Sequence, residues 1–79
     1  MPDYSEDSII DDELKKMASI ATDLQLSSKM RIQAINLLGD MSSHESLLVL
    51  LNLVANDKLN TDERDLALKR AREIVKKGR

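Results

Sequence analysis

Apolar residues in this chain recur at helical spacing in four stretches, separated by short polar connections. Ile10, Leu14, Met17, Ala21 and Leu24 follow one another at alternating steps of four and three, which lines up one apolar face and predicts a first helix over Ile9 to Asp23. Ser8 is its expected N-cap, with Asp11 at the capping-box position. Met30, Ala34, Leu37 and Leu38, joined by Ile32 and Ile35, mark a second helix that starts from Ser27 or Ser28 and is expected to end at Gly39, the residue best able to turn left-handed past a helix end. Leu66, Ala67, Ala71, Ile74 and Val75 supply the buried side of a last helix capped by Asn60 or Thr61 and stopped at Gly78. No segment alternates with period two, so no strand is expected.

The third stretch, Ser42 to Asp57, differs from the others. Leu47 to Leu51 and Leu53 to Ala55 are apolar on almost every side, broken only by Asn52, and a helix of that kind is expected to be wrapped by its neighbours, with Leu51 in the core. Ser42 and Glu45 are spaced for its capping box. Connections this short imply antiparallel neighbours. The expected fold is therefore all-α: four helices as two antiparallel helical hairpins, in residues 8–79 behind an acidic tail of residues 1–7 expected to be flexible.

Composition narrows the function classes. At 79 residues the chain holds a modest core, near the size at which a partner or self-association helps stability. Tyr4 is the sole aromatic and there is no cysteine, so neither base-stacking platforms nor a disulfide framework nor thiolate chemistry is available. No basic-then-apolar leader and no span long enough for a bilayer is seen, and the expectation is a cytoplasmic protein. Charge is uneven: residues 1–13 carry Asp3, Glu6, Asp7, Asp11, Asp12 and Glu13 with no base, whereas the C-terminal stretch carries Lys69, Arg70, Arg72, Lys76, Lys77 and Arg79 against Glu73. Both clusters complement helix dipoles, and the basic one is also a candidate binding patch.

The chain also resembles itself. Ile20-Ala21-Thr22-Asp23 recurs as Val54-Ala55-Asn56-Asp57, Leu14 and Met17 correspond to Leu48 and Leu51 at that offset, and Arg31, Ala34 and Ile35 answer to Arg64, Ala67 and Leu68 at an offset one residue shorter. Arg31, Ala34, Leu38 and Gly39, followed by a new helix and by Arg64 with Ala67, resemble the HEAT-like short helical repeats. The chain departs from them in lacking the turn proline, in placing Glu63 before Arg64 where an apolar residue is expected, and in lacking a second Leu-Gly ending. The resemblance implies stacked hairpins that present surfaces to other molecules, with Asp23 and Asp57 paired to Arg31 and Arg64 as a structural ladder.

His44 is the only histidine and has no second His, no Cys and no placeable carboxylate pair beside it, so no catalytic, cofactor or metal site is expected and the chain is not read as an enzyme. Ile9, Ile32, Val49 and Leu59 are the apolar residues hardest to place inside one four-helix core, and they join Lys69, Arg70, Arg72, Lys76 and Lys77 as candidate partner-binding residues. The functional expectation is a non-catalytic protein-interaction module that self-associates as a homodimer. Nucleic-acid binding through the basic last helix is the alternative.

Overall fold

The computed structural model describes the backbone of residues 6–77 and the side chains of residues 12–77. The chain is all-α over that range, with α1 (Glu6–Thr22), α2 (Ser28–Met41), α3 (His44–Val54) and α4 (Thr61–Lys77) and no strand among the described residues. α1 already includes Glu6 and Asp7 from the expected tail, and Ser8 lies inside it rather than capping it. Met1 to Ser5 and the stop at Gly78 lie outside the described residues.

Each later helix starts where a short polar side chain satisfies free N–H groups. Ser27 Oγ accepts from the Met30 N–H at 3.3 Å. The α3 box forms one residue later than expected: Ser43, not Ser42, accepts from the Ser46 N–H at 3.0 Å, and Ser46 Oγ accepts from the Ser43 N–H at 2.9 Å. Ser42 instead closes α2, in the left-handed region at φ 50°, with its N–H and Oγ both donating to the Gly39 carbonyl. α2 thus runs two residues past its expected end, and Gly39 is a helical, buried residue.

α1 packs on α2 and α3 on α4, giving two hairpins; the second lies on the first, with α4 against α2 and α3 against both α1 and α2. Small residues set the spacing, since Ala34, Ala67 and Ala71 are buried where the helices approach, and Ile35, Leu38, Leu50 and Leu53 fill the space between. α3 touches all three other helices, yet it is not wrapped: Leu50 and Leu53 are inside, whereas Leu48 and Leu51 are 50% and 45% exposed. With three other helices among the described residues, one flank of this apolar helix is left open by them.

Gly39 is needed for a different reason than chain reversal. The Arg70 guanidinium of α4 lies across it, donating to the Asn36 carbonyl at 3.2 Å and pairing with Asp40, and a β-carbon at position 39 would stand 2.7 Å from Arg70 Cζ. Alanine is otherwise the better helix former by about 1 kcal/mol. Gly39→Ala is therefore expected to raise stability in an Arg70→Ala background and to lose that gain with Arg70 present; equal effects in both backgrounds, measured by urea unfolding, would contradict the packing of Arg70 on Gly39.

Candidate interaction surface

The hairpins are joined by a buried ion pair that has no equivalent at a second arginine among the described residues. Asn60, the residue before α4, accepts from the Glu63 N–H through Oδ1 at 2.9 Å, and Glu63 Oε1 accepts in return from the Asn60 N–H at 3.3 Å. This capping box turns the Glu63 carboxylate inward, fully buried. Arg31 of α2 meets it in a two-pronged contact, Nε to Oε1 at 3.0 Å and Nη2 to Oε2 at 2.9 Å, and Ser28 Oγ and Asn60 Nδ2 also donate to Oε2. Burial raises the carboxyl pKa, but the hydrogen bonds from Arg31, Ser28 and Asn60 and the Arg31 charge outweigh it and hold Glu63 below the usual carboxylate range. Arg31 Nη1 donates onward to the Leu26 and Asp23 carbonyls at 2.6 and 3.3 Å.

The expected ladder of Asp23 with Arg31 and Asp57 with Arg64 is therefore not formed. Asp23 offers Arg31 its backbone carbonyl, while its carboxylate accepts from the Gln25 N–H at 2.9 Å. Asn56 does the same for the Lys58 N–H at 3.0 Å, so Asn56, not Asp57, stands in for Asp23, and Asp57 is exposed. The turn hydrogen bonds pair Asp23 with Asn56, Leu26 with Leu59, Ser27 with Asn60 and Arg31 with Arg64 at one constant offset. The longer offset that aligned Leu14 and Met17 with Leu48 and Leu51 is corrected by one residue, to Leu47 and Leu50. The Asn60-x-x-Glu63 spacing was the sequence signal for the clamp. It is a local cap pattern, and only packing shows that its carboxylate also receives Arg31.

Arg64 holds the position of Arg31 on the second hairpin, but among the described residues it makes only the hydrogen bond from Nε to the Val54 carbonyl, at 2.9 Å, and no ion pair. It stands beside Leu68, which also borders a groove of about 320 Å³ between α3 and α4. Leu47, Leu51, Ala71 and Val75 complete the floor and walls, with Arg72 and Lys76 at the rim. Half-exposed Leu51 and Val75 make it the open flank of the molecule. Leu24, Met30 and Leu37 are also half-exposed on the first hairpin.

The candidate residues divide accordingly. Lys69, Arg72 and Lys76 share one side of α4, with Asp65 and Glu73 interleaved, and Lys77 is exposed nearby. Arg70 is not part of that side, because it is turned to α2 and held by Asp40, Glu73 and the Asn36 carbonyl. Leu59 is a core residue at 4% exposure rather than a surface contact, and Val49 packs against the core where α3 borders α1. Ile32 is half-buried on α2, and the side chain of Ile9 lies outside the described residues. His44 is exposed at the start of α3. Sequence reasoning missed Leu51, Leu68 and Val75 as surface, because helical periodicity shows that a residue is apolar but not whether a neighbour covers it.

No helix among the described residues is long and apolar enough to cross a membrane. Compared with known protein families, with curated proteins and with solved structures, the chain matches none.

Proposed function

We propose that this protein is a small, non-catalytic protein-interaction module of two HEAT-like helical hairpins. The observation that carries this reading is the uncovered flank of α3 and α4, where Leu51 and Val75 stand half-exposed beside the partly buried Leu47 and Leu68. Apolar surface gathered at one place on a small domain supplies binding energy once another polypeptide covers it. Stacking of identical copies is the less favoured form of this interaction, since Met30 occupies in the first hairpin the position of Glu63 and would offer Arg64 no carboxylate. Nucleic-acid binding is weakened by the withdrawal of Arg70 and by the acids Asp65 and Glu73 within the basic side of α4.

The test uses Leu51→Glu, which charges the flank without touching the core. The wild-type chain is expected to retain a protein partner from a lysate of its source cells at moderate and high salt, and the folded variant to lose it. Nuclease-sensitive retention that Leu51→Glu leaves intact would favour the nucleic-acid reading instead.

A further inference from the structure

The interface between the two hairpins shows, within the same molecule, how a face of this kind is covered. In the first hairpin Ala21 and Ile35 are completely buried beneath the second. Their counterparts Val54 and Leu68 are only partly buried and line open depressions on the second hairpin. Arg31 has Glu63, whereas Arg64, its counterpart, has no carboxylate partner among the described residues.

The open face is not a plain repetition of the covered one. Gly39 and Ala18 on the covered face correspond to Arg72 and Leu51 on the open one. A third hairpin seated as the second is would meet the Arg72 side chain where the second meets Gly39. Two changes enlarge the features that a single amphipathic helix would use: Leu51 deepens the apolar wall, and Arg72 adds a cation to a rim already carrying Lys76. Lys69 and Arg64 border adjoining depressions that share Leu68 with the groove, so the groove and its surroundings carry four bases against Asp65 and Glu73, a net positive charge beside an apolar floor. A second copy of the same face would bring like charge to like.

Resting on the proposed role as a protein-interaction module, we propose that the α3/α4 groove takes an acidic amphipathic helix of a different protein, whose leucine-type side chains enter between Leu51, Leu68 and Val75 and whose carboxylate pairs with Arg64 as Glu63 pairs with Arg31. Opposite charge steers the approach and fixes the register, while the apolar side chains supply most of the affinity.

The experiment titrates the full chain with two fluorescein-labelled helical peptides of one Leu/Ala framework, leucines at steps of three and four, one bearing Glu and the other Lys at every polar position. Anisotropy is expected to show the Glu peptide binding about tenfold or more tightly than the Lys peptide, Arg64→Met to weaken it by about tenfold, and Leu51→Glu to abolish it, consistent with the worth of a charge-assisted hydrogen bond. Both substituted side chains are partly or half-exposed, and circular dichroism checks that the helices persist. Equal, Leu51-dependent binding of both peptides would overturn the acidic specificity and leave the interaction role standing. Binding of neither, or binding indifferent to Leu51→Glu, would overturn both. Sedimentation equilibrium of the chain alone closes the set: a monomer supports an unlike partner, and a dimer dissolved by Leu51→Glu overturns it in favour of a second copy.

Discussion

Replacing Glu63 by alanine is expected to lower the free energy of unfolding by about 3–5 kcal/mol, the cost of leaving one member of a buried ion pair alone. Arg31 is 11% exposed and has the carboxylate as its only acidic partner among the described residues, so the substitution strands a guanidinium in the hairpin interface and removes an acceptor from Ser28 and Asn60. It also opens the capping box of α4, which contributes to the same loss. Arg64→Ala is the control, since Arg64 gives up one hydrogen bond to a carbonyl and its loss is expected to cost about 1 kcal/mol or less. Urea unfolding of both variants decides the matter, and equal losses would contradict the asymmetry between the two arginines.

The same clamp sets the response to acid. Glu63 titrates in the folded chain below its ordinary value of 4.5, so the unfolded chain takes up this proton first on acidification. Its stabilising contribution is complete above that ordinary value and disappears as pH falls through the lower, folded one. The melting temperature is expected to drop on acidification from about pH 5, and Glu63→Gln, less stable at neutral pH, to show a shallower drop. An identical slope in the two proteins would count against a depressed folded pKa.

Leu50→Ala and Leu51→Ala form the second large contrast. Leu50 is fully buried and its truncation is expected to cost about 2–5 kcal/mol, through lost transfer energy and the cavity left behind. Leu51, one position along the same helix, is 45% exposed, and its truncation is expected to cost about 1 kcal/mol or less because water reaches the vacated space. Chemical denaturation of the two variants distinguishes a core edge from an open flank. Comparable losses would mean that Leu51 is covered in the folded chain.

Much of the local structure was legible from residue spacing. The four apolar stripes, Ser27 as a cap, and Ala34 and Ala67 at close helix contacts all depend on near neighbours in the chain. Boundaries shifted where two local solutions compete. Ser42 and Ser43 are both cap-forming residues, and the structure uses one to end α2 and the other to begin α3. Gly39 signalled a helix end, yet α2 runs on to Met41, and the glycine stands where Arg70 leaves no room for a side chain.

Helix number, type and approximate extent were determined by the sequence alone, because periodicity and capping act within a turn or two of the backbone. The tertiary structure decided which side of α3 is covered, that Arg31 reaches Glu63 instead of the Asp23 carboxylate, and that Leu59 belongs to the core while Leu51 does not. Those outcomes depend on which helix lies on which. An apolar side chain has the same hydrophobicity on either flank of its helix, and a charged one finds its partner only after distant segments have been brought together.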